Sequence, residues 1–338
     1  MDSINLTQEL SVLADWLAPI ATLFSPFGVD SRLHWTGLAA FLVLGVAVYW
    51  FRGRGEKEGS TLIGFLFPLS LYRTASSWVD VKVFFAGRLI KPLISAITLP
   101  ANAWIMAACA TLVAGPQTAL PGNDMGFGGV IAASLLVAML FDFSYYVTHR
   151  LSHESPLLWP FHKLHHSAEV LTPITAKRNH PVFDLLRAVI GISMTAPIAG
   201  AIFGFFGVIE FTEIFGLTLM IALMNVTGGA LRHSHIWVDF GPVFDRIFIS
   251  PAQHQIHHSL EPRHHDKNYG LTLAIWDWMF GTLYVPSERE VLSFGVAERD
   301  GTPQPQVHNT LKEAYLVPFV EAAEAARARD SKITQEPA

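Results

Sequence analysis

Apolar residues in this chain run in long blocks, without the two-residue or three-to-four-residue alternation of half-buried elements. Five blocks approach the roughly 20 residues that a helix needs to cross a bilayer. They are Leu33–Phe51, Leu89–Ala114, Phe127–Val147, Leu186–Val208 and the shorter Ile214–Val226. The second carries Pro92 and Pro100, and the last two read as a hairpin turning near Glu210 and Glu213. The blocks predict an all-α integral membrane protein with about four to five transmembrane helices. Two further stretches, Thr7–Phe24 and Ser60–Tyr72 with its break at Pro68, suit helices lying along a membrane surface or packed against a cap. Polar residues dominate from about Ala297, where Pro303 and Pro305 precede an Ala/Glu/Arg-rich stretch from Val320 that reads as a surface helix. The expected organisation is a surface segment over 1–32, a membrane-embedded domain over 33–285 and a polar tail over 286–338.

Charge orients the blocks. Arg52, Arg54, Lys57, Arg73, Lys82 and Arg88 lie between the first two, whereas Pro116–Met125 and Ile209–Glu213 contain no Lys or Arg. Basic loops stay cytoplasmic, so the C-terminal ends of the first, third and fifth blocks face the cytoplasm. Composition supports the membrane reading, with 51% hydrophobic residues, 24 Phe, 9 Trp and only 15% charged residues, against about a quarter charged in soluble domains. A net charge of −5 gives no basic footprint for nucleic acid. Cys109 is the one cysteine, which excludes an intrachain disulfide. The first residues, with Asp2 and Glu9 and no Lys or Arg before Asp15, lack the basic start of a cleaved signal peptide.

Histidine then changes the picture. Thirteen of fifteen fall between His149 and His265. Eight form three clusters: His149-x-x-x-His153, His162-x-x-His165-His166 and His254-x-x-His257-His258. Residues three and four apart share a helix face, so each cluster can present two or three imidazoles to one side. Pro156 and Pro160 force a break between the first two clusters. Neutral imidazole is the commonest metal ligand, and so many rings exceed the needs of one ion, so two metals at one site are expected. The His-Glu-x-x-His of zinc proteases is absent, as are the paired Glu-x-x-His motifs of soluble di-iron bundles. Asp142 lies two helical turns before His149 in an otherwise apolar block, and a hydrogen bond from it to a ligand histidine is expected. Asp266, Asn268, Asn179 and Asp277 are weaker candidates for supporting roles, and Arg150 and Lys163 for contacts with lipid headgroups. His264 and His265 read as solvated, and His34 and His308 have no evident partner.

Longer matching stretches accompany the clusters. They include Asp142-x-x-Tyr145-x-x-x-His149-Arg150-x-x-His153, Phe161-His-Lys-Leu-His-His166-Ser, Arg178-Asn-His-Pro181 and His233-Ser-His235. Pro251-x-x-His254-x-Ile256-His-His-Ser259, Asp266-x-Asn268-Tyr-Gly270 and Trp276-Asp-x-x-Phe280-Gly-Thr follow. Over about Ala75 to Tyr284 the chain resembles the fatty acid hydroxylase/sterol desaturase superfamily of membrane non-haem di-iron proteins. The resemblance implies a cytosolic helical cap carrying His149, His153, His162, His165, His166, His233, His254, His257 and His258 as ligands of two iron ions. One branch of the family has a histidine four residues before the position of His233, where this chain has Gly229. His235 and His180 are the candidates for a tenth ligand.

The implied activity is hydroxylation of an unactivated C–H bond of a lipid (fatty-acyl, sterol or related), with O2 as co-substrate. No glycine-rich dinucleotide fingerprint and no cysteine set for an iron–sulfur cluster is present. A separate electron donor, such as a ferredoxin, cytochrome or reductase, is therefore implied. Desaturation by the same mechanism class is the alternative, and a non-catalytic, metal-stabilised membrane scaffold is the alternative from a different class.

Overall fold

The computed structural model describes residues 35–51, 61–115, 126–206 and 222–333. The chain is helical, with only isolated β-bridges and no strand ladder among the described residues. Helix α1 (Trp35–Phe51) is followed by two short helices, Leu62–Leu66 and Leu69–Tyr72, which part at Pro68. Then come α2 (Ala75–Ala114), α3 (Gly126–Glu154), α4 (Trp159–His166) and α5 (Pro181–Phe206). After the one-turn helix Gly241–Phe244 come α6 (Pro251–His257), α7 (Ile275–Phe280) and α8 (Leu311–Ile333).

Three described helices, α2, α3 and α5, are long and apolar enough to cross a membrane. The first predicted span forms α1, whose 17 residues reach about 26 Å at 1.5 Å per residue, a little short of a hydrocarbon core of about 30 Å. Most of the fifth predicted span, its turn near Glu210, the surface segment Thr7–Phe24 and His34 lie outside the described residues. Helix α2 begins well before its predicted start at Leu89. Thr74 caps it by accepting from the Ser77 N–H at 3.1 Å, and its first turns bury Ser76, Ser77 and Asp80. Lys82 and Arg88, expected in a loop, are therefore helical.

Helices α2 and α5 lie against each other at small residues. A Cβ on Gly200 would strike the Met106 carbonyl, and one on Gly204 the Ala110 carbonyl. With Ala196, buried one turn earlier, these glycines form the small-x-x-x-small stripe that lets membrane helices approach backbone to backbone. The opposite side of α2 presents Leu93, Ile97 and Trp104 outward. Helix α3 packs on α5, and α4 packs on α8.

The tail is tied down at several points. Lys163 of α4 pairs with Glu321 of α8, Phe161 stacks edge-on against Phe319 at 5.1 Å, and Ala314 joins the core of Val79, Val83 and Leu164. Lys163 therefore faces a carboxylate, not lipid headgroups. His308, expected to lack a partner, is buried with Nδ1 3.0 Å from the Ser167 hydroxyl.

Candidate metal centre

Nine histidines converge where α3 ends against α4 and α6. His149, His153, His162, His166 and His257 form one group, and His165, His233, His254 and His258 a second. Within each group the candidate ligand atoms lie within 4.8 Å of one another.

Helix geometry explains the sorting. At about 100° per residue, the outer histidines of a His-x-x-His-His box lie about 40° apart, and the middle one turns about 60° the other way. In α4 the outer pair, His162 and His166, serves the first group and His165 the second. At α6 the assignment is reversed: His254 and His258 serve the second group and His257 the first. His149 and His153, one turn apart on α3, complete the first group, and His233 reaches the second from the loop before α6.

Backbone carbonyls fix two ring orientations. His149 Nδ1 lies 2.7 Å from the Tyr269 carbonyl, and His257 Nδ1 lies 2.7 Å from the Lys267 carbonyl. A carbonyl only accepts, so each Nδ1 carries the hydrogen and each Nε2 turns its lone pair to the group. The loop supplying both carbonyls places Asp266 (φ 59°) and Asn268 (φ 56°) in the left-handed region, which Asp and Asn tolerate best among non-glycine residues. Asn268 holds the loop to α6 by donating to the Gln253 carbonyl at 3.1 Å, and its Oδ1 accepts from the Tyr284 N–H at 2.8 Å. Asp266 Oδ1 accepts from the Tyr269 hydroxyl at 2.9 Å and lies 3.9 Å from His153 Nδ1.

Asp142 does not bond a ligand histidine. Its carboxylate accepts from the Thr272 N–H (3.0 Å), the Leu273 N–H (3.2 Å) and the Trp276 indole (2.9 Å). It thereby anchors to α3 the turn that follows Tyr269. Asp277 braces the same turn, accepting from the Tyr269 and Gly270 N–H groups at 2.8 Å each and from Thr282 at 2.6 Å. Burial pushes the Asp277 carboxyl up to about 6.

The two tenth-ligand candidates do not join either group. His235 Nε2 donates to the Phe65 carbonyl at 2.6 Å. His180 uses both nitrogens, Nε2 toward the Tyr315 carbonyl (3.1 Å) and Nδ1 accepting from the Val182 N–H (3.1 Å). Gly229 has a steric reason to be glycine, since a Cβ there would stand 2.8 Å from the Met224 carbonyl. His264 is buried, not solvated, with Nε2 3.0 Å from Glu290. Arg150 turns to Glu154 (2.7 Å) and the Tyr146 hydroxyl (3.2 Å).

Residues that hold the ligand-bearing segments were not evident from motif spacing. Arg178, fully buried, donates to the Leu164 carbonyl (2.9 Å), the Ser167 hydroxyl (2.9 Å), the Ser76 carbonyl (3.1 Å) and Asp80 (2.9 Å). It fastens the end of α4 to α2. Gln255 donates to the Leu231 (3.2 Å) and Ile236 (2.9 Å) carbonyls, clasping the loop that carries His233. Arg232 donates to the Leu271 and Ile249 carbonyls. The local signal for these roles is a strong hydrogen-bonding residue beside a histidine box.

The donor set fits metal ions. His153 Nε2, His166 Nε2, His257 Nε2 and both nitrogens of His162 and of His258 are buried with no hydrogen-bond partner, a costly state unless something else takes the lone pairs. His233 Nε2 lies 3.2 Å from His165 Nε2 and 3.1 Å from His254 Nε2, and one ring nitrogen cannot satisfy both neighbours through hydrogens. Burial, with the neighbouring imidazoles, pushes His162, His166 and His258 well below the usual histidine range. Burial likewise brings His257 to about 4. All four are neutral at pH 7, the form that binds metal.

Comparison with known proteins agrees. Residues 134–282, which hold all nine histidines, match the family profile described as fatty acid hydroxylase. An ornithine lipid hydroxylase of Rhizobium tropici is 32% identical over 162 residues, 48% of this chain and 45% of that protein. An alkylglycerol monooxygenase of Xenopus tropicalis is 31% identical over 48% of this chain and 33% of its own length. A very-long-chain aldehyde decarbonylase of Oryza sativa is 30% identical over 46% of this chain and 24% of its own length. The chain thus spans less than half the length of the curated relatives it matches. No solved structure matches. Over residues 134–282 and the histidine boxes they carry, these likenesses support the fatty acid hydroxylase/sterol desaturase superfamily.

Proposed function

We propose that this protein is a multi-pass membrane oxygenase that hydroxylates a polar membrane lipid at two iron ions, one per histidine group. The observation that carries this reading is the two groups of closely gathered imidazoles at the end of an apolar helix long enough to span a bilayer. The relatives named for ornithine lipid and for alkylglycerol support a polar lipid as substrate class. When bound, such a metal pair supplies activation of O2 with two electrons, which a separate ferredoxin, cytochrome or reductase delivers. The chain's own residues supply the rest. The carbonyls of Tyr269 and Lys267 hold His149 and His257 in the tautomer that turns the Nε2 lone pair toward the other rings of the group. Leu164, buried on α4 between His162 and His165, packs with Val79, Val83 and Ala314 and so seats α4 against α2 and α8. The basic residues around Arg52–Arg88 support a cytoplasmic side for the histidine groups.

The test compares membrane lipids of cells supplied with iron and reductase and producing either the wild type or a His165→Ala/His257→Ala variant, which removes one ligand from each group. A lipid heavier by one oxygen and present only with the wild type is the expected result. A product lighter by two hydrogens would reassign the protein as a desaturase. Identical lipids would overturn the catalytic reading in favour of a metal-stabilised scaffold.

A further inference from the structure

Two short segments of the cap carry large apolar side chains that stay exposed among the described residues. Val243, Phe244 and Ile247 are exposed in segment 241–248, and Trp278, Met279 and Phe280 are exposed on α7. The Phe248–Leu273 bridge and the bond from the Ala274 N–H to the Ile247 carbonyl (2.9 Å) hold the two segments side by side. Exposed apolar groups this concentrated mark a surface that meets something other than water.

The position of α7 on α3 identifies the occupant. Phe143 packs on Trp276 (4.8 Å between rings) and on Phe280 (5.9 Å), and Tyr146 packs on Phe280 (5.5 Å). Phe143 and Tyr146 precede His149 by six and three residues, so they lie about 5–9 Å deeper along the spanning helix. Helix α7 is therefore at the level of the apolar part of α3, on the membrane side of the histidine groups. Charge agrees with that depth. Of the ionisable residues in the two segments, Asp245 and Asp277 are buried, and only Arg246 is exposed. A single long cationic side chain beside an apolar surface suits the boundary between acyl chains and lipid phosphates.

We propose that segment 241–248 and helix α7, although neither spans the membrane, are inserted among the acyl chains of the cytoplasmic leaflet, so that the cap is partly embedded beside α3. The proposal rests on the reading of α2, α3 and α5 as membrane spans, and its test separates the two. Single cysteines replace Phe244, Trp278, Ile97 or Val291 in a Cys109→Ala background. The full-length variants carry nitroxide labels in vesicles of phosphatidylcholine and phosphatidylglycerol. Collision with O2, which concentrates in hydrocarbon, is compared with collision with a water-soluble nickel chelate. Ile97, outward on α2, is the reference for acyl chains, and Val291, 98% exposed in the cap, is the reference for water.

Labels at 244 and 278 are expected to match 97, with collision with the nickel chelate several-fold below that at 291. Nickel accessibility at 244 and 278 equal to that at 291, with 97 protected, overturns the insertion and leaves the spanning helices intact. Nickel accessibility at all four sites overturns both. If either variant fails to fold, Val243→Cys and Met279→Cys probe the same two segments.

Discussion

Arg178 aims one guanidinium at the end of α4 and at the start of α2, and α4 supplies ligands to both histidine groups. Arg178→Met leaves Asp80 buried without its cation, a loss of about 3–5 kcal/mol for such a broken pair. A large fall in Tm is expected, together with less bound metal, read by metal analysis. Adding Asp80→Asn should restore part of the Tm. His308 gives a pH prediction. Burial holds it near 3, with the cations Lys163 and Arg178 adding to the shift, so it is neutral when folded and gains a proton only on unfolding. The unfolded state then binds more protons between about pH 6.5 and 3, and stability falls as pH drops through that window. His308→Gln should flatten that slope by up to one proton, measured as Tm against pH. Neither residue stood out in the sequence. Arg178 lay within a matching stretch without a role, and His308 meets Ser167 across 141 positions, a distance no local pattern spans.

Among the elements, the histidine boxes were readable because their spacing is local. Spacing of three and four brings the rings toward one side. The division of each box between two groups, opposite in sense at α4 and α6, corrects the expectation of one shared face and depends on how the helices pack. The spans that form α2, α3 and α5 were readable by length and composition, but the start of α2 was not. Its first turns are polar and become helical because Asp80 and Ser76 find Arg178. The small-residue stripe Ala196-x-x-x-Gly200-x-x-x-Gly204 was present in the sequence and marks the contact between α2 and α5. Gly204→Leu should force the two backbones apart, costing at least the about 1–3 kcal/mol of an overpacked core. The check is a lower thermal midpoint in detergent, while Gly87→Leu, on an open part of α2 with nothing near its Cβ, stays close to the wild type. The tail helix α8 read correctly as helical from its Ala/Glu/Arg content, whereas its docking on α4 depends on the Lys163–Glu321 pair, 158 positions apart.

At the scale of the molecule, the two histidine groups join α3, α4, α6 and the loop of His233, so bound metal acts as a cross-link between segments far apart in sequence. Removing it with a strong chelator should lower Tm by many degrees, and restoring iron(II) should reverse the loss, because a ligand bound only by the folded state stabilises it by mass action. The opposite sorting of the two boxes has a consequence for how the ions load. Each of α4 and α6 serves both groups, so fixing either helix around one ion also orients the ring it offers to the other. With one ion per group, as proposed, the first ion would meet the ordering entropy of both helices and the second little of it, which would make the loading cooperative. Iron titration of the apoprotein should therefore be sigmoidal, with a Hill coefficient above one and few singly loaded molecules. His257→Ala, which strips a ligand from one group only, should empty both.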